Sequence, residues 1–231
     1  MVSLLSKGLP SGFVYVSEID PRIKVLLKYL DKDNFVGEKI DGYYANKAIL
    51  TKEAAEALKK AQDEFIKDGY LIVIYDSYRP QKAVEHFMRW INSTNDTERL
   101  KHYPYVSKDR FVKEGYVASK SGHSKGSTVD MTLIKNGTQI SREQEYRERE
   151  FNGKIFPYMY DGTIDCGTSF DLMDPISHGD NTTVGETYKK NRDYIKEIMD
   201  KAGFDVLDTE WWHFTLRNQP FPDTYFDFDV K

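Results

Sequence analysis

The sequence predicts an α+β fold, a mostly antiparallel sheet flanked by helices and carrying an inserted lobe. Three observations lead there: three segments with helical periodicity, apolar segments of strand character between them, and no internal repeat or linker. At 231 residues the chain is about one and a half times a modal domain, so it reads as a single domain over 1–231 with an insertion at about 135–166.

Each element follows from its residues. TKEAAEALKKAQDEFIKDG (51–69) opens on Thr51 as N-cap, places Glu53 in the first turn and Leu58, Ala61 and Phe65 at helical spacing, and stops at Gly69. YLIVIY (70–75) is a continuous run of β-formers, the pattern of a strand buried on both faces. It breaks at DSYRP (76–80). A second helix over 81–92 carries Ala83, Phe87 and Ile91 at four-residue spacing and starts just after Pro80. Residues 92–112 lack periodicity and read as an irregular connection.

TVDMTLI (128–134) alternates Val129, Met131 and Leu133 with Thr128, Asp130 and Thr132, which predicts a strand whose carboxylate points away from the core side. Charge-dense SREQEYRERE and the Gly- and Tyr-rich sequence after it, between 140 and 167, read as an inserted lobe rather than core. TYKKNRDYIKEIMDKA (187–202) sets Tyr188, Ile195, Ile198, Met199 and Ala202 on one helical stripe, closed by Gly203. The segment 204–216 ends with Trp212, Phe214 and Leu216 alternating with Trp211, His213 and Thr215, a strand pattern.

Composition excludes several functions. Thirty-three Lys and Arg against 37 Asp and Glu give a net charge of −4 with both signs mixed, so nucleic acid is not an expected partner. The single cysteine, Cys166, makes neither an internal disulfide nor a Cys-rich zinc site, so any metal must be held by His and carboxylates. The opening MVSLLSKGLPSGFVYV has no apolar signal core, and no run approaches the roughly 20 apolar residues of a membrane span. A soluble, cytoplasmic protein is expected, with no membrane partner; the lone thiol suits a reducing compartment.

Five histidines are available: His86, His102, His123, His178 and His213. Taken singly, each reads as a surface or satisfied core imidazole. Two have informative neighbours. His123 sits in SKSGHSKGSTVD, a loop running into the strand that bears Asp130, so the two could converge on one ion, and nitrogen plus carboxylate oxygen suits zinc. His213 follows Glu210 by three in EWWH; on a strand the two would point oppositely, so Glu210 is expected in the turn before the strand, reaching back to the metal. The competing reading of EWWH is two core tryptophans flanked by a surface Glu and His.

Taken together, SGHSKGSTVD and EWWH about 80 residues later resemble the S-x-H-x-x-G-x-x-x-D and E-x-W-H signatures of the zinc D,D-peptidases, most closely the VanX-type D-alanyl-D-alanine dipeptidases. DNFVG, DGY, YDSYRPQKAV, GYVASKSGHSKGS, SFDLMD with the following SH, EWWHF and YFDFDVK are similar to that family in order and spacing, from Gly12 to Lys231.

The resemblance implies one zinc ion per chain on His123, Asp130 and His213, with Glu210 as general base and acid and Arg79 facing the oxyanion. It places Asp171, Ser121 and Tyr29 around the substrate's amino terminus, and implies a small D,D-dipeptide as substrate. Thr128 departs from the alanine common at its position, and the stretch before Cys166 is longer than in compact members. A D,D- or L,D-carboxypeptidase of peptidoglycan peptides and a non-catalytic zinc module are the competing functions; Glu210 and Arg79 argue against the second, because a structural metal site needs neither.

Overall fold

The structure, a computed structural model, describes residues 8–231; residues 1–7, which open the stretch read above for a leader, lie outside it. In chain order it contains β1 (Phe13–Tyr15), α1 (Val16–Ile19), β2 (Lys24–Val25), β3 (Ile49–Thr51), α2 (Lys52–Phe65), β4 (Tyr70–Asp76) and α3 (Gln81–Ile91). Two short helices follow, α4 (Arg99–His102) and α5 (Phe111–Glu114), then β5 (Thr128–Lys135), β6 (Glu145–Phe151), β7 (Lys154–Tyr160), α6 (Glu186–Lys201), β8 (Phe204–Val206) and β9 (His213–Leu216). Among the described residues no helix is long and apolar enough to cross a membrane.

The main sheet has the order β2-β4-β5-β9-β8, and only the β2–β4 pairing is parallel. The expected α+β architecture with a mostly antiparallel sheet is therefore the observed one. Helix α2 starts where the sequence placed it: the Thr51 hydroxyl accepts the Ala54 amide at 3.4 Å, and Gly69 takes a left-handed φ of 81° after the last turn. Its buried Leu58, Ala61 and Phe65 join the strand residues Ile72, Val73, Ile74, Met131 and Leu133 in one core.

Three features differ from the sequence pattern. The polar face of β5 is as buried as the apolar one, Thr128, Asp130 and Thr132 included, so the alternation marks no solvent-facing side. The stretch read as a lobe is a β6–β7 hairpin whose outer strand is exposed, while Phe156 packs with Leu172, Ile176 and Val184. The chain then returns to the main core at Ile164 and Cys166, so the stretch is not lobe throughout. Helix α6 buries Arg192 between the expected stripe residues.

Candidate active site

A row of polar side chains crosses the sheet. In the β4–β5 and β5–β9 ladders, Asp130 lies opposite Asp76 on one side and His213 on the other. Directly opposed residues of antiparallel strands share a face. Regular pairing after Ile74–Met131 would bring Tyr75 to Asp130; instead the register shifts between Ile74 and Asp76 and delivers Asp76. This is the common use of a bulge beside a site, to re-aim one side chain.

His123 reaches the row from a 3₁₀ turn, Gly122–Lys125, capped by the Ser121 hydroxyl, which accepts the His123 amide at 3.2 Å. The turn ends at Gly126, whose φ of 81° and whose contact with Phe13, 2.2 Å from where a Cβ would stand, exclude any side chain. The His123 Nδ1–H donates to the Ser77 carbonyl at 2.7 Å, and that bond leaves Nε2 as the free nitrogen facing the row. Nε2 lies 3.3 Å from Asp130 Oδ2 and 3.3 Å from His213 Nδ1. His213 Nδ1 is 3.0 Å from Asp130 Oδ1.

His123, Asp130 and His213 each offer one ligand atom, all within 4.8 Å of one another. Asp130 Oδ1 is buried and makes no hydrogen bond despite its close neighbours. The electrostatics also ask for a cation. Burial opposes charge on His213, yet Asp130 and Glu210 pull its pKa up to about 9, so without a metal a proton sits among these groups. Burial would likewise raise Asp130, but the two imidazoles outweigh it and hold the carboxylate well below its usual range. Two nitrogens and one carboxylate oxygen with an orphaned lone pair fit a divalent metal, with no thiolate in the set.

Glu210 lies in the turn before β9, as expected, and its Oε2 is 3.4 Å from His213 Nδ1. Both tryptophans of EWWH are core residues as well, so that motif serves packing and site together. Arg79 donates from Nε to Asp76 Oδ2 at 2.8 Å, and its Nη2 stands 3.5 Å from Asp130 Oδ2. Its guanidinium lies 5.1 Å from the Tyr29 ring centroid and 5.2 Å from that of Phe87. Although burial disfavours its charge, Asp76 and further neighbours, Asp130 among them, together more than restore it.

Asp171 forms the far wall. It adopts φ +58°, a left-handed conformation that Asp tolerates better than most residues, and Tyr29 Oη donates to its Oδ2 at 2.9 Å. Burial, then the charges of Asp130 and Glu210, push its pKa well up. The 3₁₀ turn that follows, Pro175–Ser177, is capped by Asp174, whose side chain accepts the Ile176 amide at 2.9 Å. All eight residues singled out from the sequence line one cavity of about 210 Å³, together with Tyr116, Met173 and Leu207.

Asp76 was missed by the sequence reading. Its only signal is a carboxylate three residues before Arg79, and its role depends on the bulge. Thr128 donates to or accepts from Thr215 through their hydroxyls at 3.0 Å, tying β5 to β9 beside the row, so its departure from alanine adds a cross-strand bond.

The D-ala-D-ala dipeptidase model of peptidase family M15 matches residues 10–141 and 160–231, leaving out most of the β6–β7 hairpin. The chain is 36% identical over 221 residues to a D-alanyl-D-alanine dipeptidase of Enterococcus faecium, covering 95% of this chain and 98% of that protein. A D-alanyl-D-alanine dipeptidase of Streptomyces coelicolor is 38% identical over 223 residues, covering 96% and 100%. One from Escherichia coli is 31% identical over 203 residues, covering 88% and 83%.

Proposed function

The chain belongs to the D-Ala-D-Ala dipeptidase family of M15 peptidases, and from that premise we propose that it hydrolyses D-alanyl-D-alanine, or a similarly small D,D-dipeptide, with zinc on His123, Asp130 and His213. The observation that carries this reading is the gathering of a three-ligand cluster, Glu210, Arg79 and Asp171 around one small cavity. A zinc ion held there would supply Lewis acidity toward the scissile carbonyl and the attacking water.

The chain's own groups supply the rest. Glu210, beside but not among the three ligands, takes the proton of the attacking water and returns it to the leaving amine. Arg79, held rigid by Asp76, directs its guanidinium toward the oxygen on which negative charge grows. Asp171 accepts the substrate's α-ammonium; an arriving cation offsets the burial and the repulsion from Asp130 and Glu210 that raise its pKa, and Tyr29 fixes its orientation. Ser121 orients His123 through its amide and keeps its own hydroxyl proton to donate toward the amino end of the substrate. The buried free thiol of Cys166 is consistent with work in a reducing cytoplasm.

Zinc-supplemented protein is assayed on D-Ala-D-Ala, L-Ala-L-Ala and a pentapeptide ending in D-Ala-D-Ala. Hydrolysis of the D,D-dipeptide with little action on the other two supports the reading. Equal action on the pentapeptide replaces it with a carboxypeptidase, and no hydrolysis with retained metal replaces it with a non-catalytic zinc module.

A further inference from the structure

Arg192 occupies a place in α6 where the helical stripe asks for an apolar residue, between Tyr188 and Ile195, and it is 3% exposed. Charged residues are almost never so buried without a paired opposite charge. The partners of this guanidinium are instead backbone carbonyls and one hydroxyl: Nε donates to Cys166 O at 2.8 Å, Nη1 to Ile176 O at 3.1 Å and His178 O at 2.8 Å, and Nη2 to Thr168 Oγ1 at 3.4 Å. Burial lowers its pKa to about 10, which still leaves it charged at neutral pH.

Those contacts have a pattern. Cys166 and Thr168 precede the left-handed Asp171, whereas Ile176 and His178 follow it, so one guanidinium closes both ends of the segment that presents the carboxylate. Thr168 carries the connection further. Its Oγ1 accepts Trp211 Nε1 at 2.9 Å and the Ser177 hydroxyl at 3.1 Å, and the Trp211 amide donates to Ser177 O at 3.2 Å. Trp211 directly follows Glu210. The Asp171 segment and the Glu210 turn, distant in the chain, are thus fastened to each other through Thr168 under Arg192.

We propose that Arg192, acting through Thr168, is a positioning residue that sets the spacing between Asp171 and Glu210, and so the length of substrate that spans amine anchor and base. This rests on the roles proposed above for those two carboxylates. A general base misplaced by about 1 Å can lose on the order of 10²-fold in rate. The Arg192 network acts on both ends at once, so its loss should move kcat, KM and the amine preference together.

The test uses full-length, zinc-supplemented Thr168→Val, Thr168→Ser, Arg192→Lys and Arg192→Met, with thermal midpoints and steady-state kinetics on D-Ala-D-Ala and N-acetyl-D-Ala-D-Ala. Thr168→Val and Arg192→Lys should lower kcat and raise KM for the dipeptide, about 10- to 100-fold in kcat/KM. They should also narrow its advantage over the acetylated substrate, while Thr168→Ser, which keeps the hydroxyl, should stay near wild type. Lowered thermal midpoints with unchanged kcat, KM and preference would reduce the network to a structural role and overturn the proposal. If Arg192→Met does not fold, the Thr168 pair decides alone. A wild type inactive on D-Ala-D-Ala sinks the proposed function instead; an active wild type with unaffected Thr168→Val sinks only this inference.

Discussion

Asp76 and Asp130 face each other across the β4–β5 ladder at its one register shift, and Arg79 serves both, at 2.8 Å from the first and 3.5 Å from the second. Two buried carboxylates so placed would repel; the guanidinium of Arg79 offsets that repulsion. The arrangement makes Arg79 a fixed charge rather than a mobile surface arginine.

Removing that anchor should be felt in catalysis and not in metal content. Asp76→Asn is expected to lower kcat about 10- to 100-fold, the usual cost of losing an outer orienting group. Arg79→Ala should cost on the order of 10²- to 10³-fold, as for an oxyanion donor. Steady-state kinetics beside metal analysis checks both, and a normal kcat in either variant removes its assigned role.

The metal-ligand assignment is tested by stoichiometry. The purified protein should carry about one equivalent of zinc, and His123→Ala should lose most of it, since it deletes one of the three convergent donors. Full retention by that variant would mean that the ion binds elsewhere.

Glu210→Gln keeps the size of the side chain but cannot take a proton. Zinc content should stay at the wild-type level while kcat falls about 10²- to 10⁴-fold. Loss of metal along with rate would instead make Glu210 a ligand.

Asp171→Asn probes the amine anchor. A hydrogen bond to a charged group contributes about 1.5–3 kcal/mol, so kcat/KM on D-Ala-D-Ala should fall roughly 10- to 100-fold while hydrolysis of the N-acetyl dipeptide changes little. An equal loss on both substrates would argue that Asp171 shapes the cavity without reading the amine.

His102 should set part of the acid stability. It is buried, its Nδ1 lies 3.3 Å from the Asp171 carbonyl, and burial lowers its pKa from 6.5 to about 4. Between those values the unfolded chain binds a proton that the folded one refuses. This contribution is therefore intact above pH 6.5 and is lost as pH falls through 4, by roughly 3 kcal/mol in all. Urea midpoints of His102→Gln should fall less steeply than wild type from pH 6.5 to 4.5; parallel slopes would refute it.

Local pattern carried much of this protein. The cap at Thr51, the stop at Gly69, the buried run 70–75 and the alternation of 128–134 are short-range instructions, and each stands where the residues place it. The motifs SGHSKGSTVD and EWWH were legible too, because a loop before a strand and a turn before a strand are local geometries. The family resemblance joined them, and the structure brings all eight of the residues it pointed to around one cavity.

What tertiary structure alone decided depends on contacts between segments far apart in the chain. No local pattern marks a bulge that turns Asp76 onto the face of Asp130, since register is a property of two strands and not of one. Nor does helical periodicity distinguish a surface arginine from Arg192, whose carbonyl partners exist only once 166–178 folds beneath α6. The sequence by itself determined which elements form and which side chains are candidates for the chemistry. The packing of those elements decided which groups stand against the candidates, because burial and hydrogen-bond partners are set by neighbours that the chain brings together only on folding.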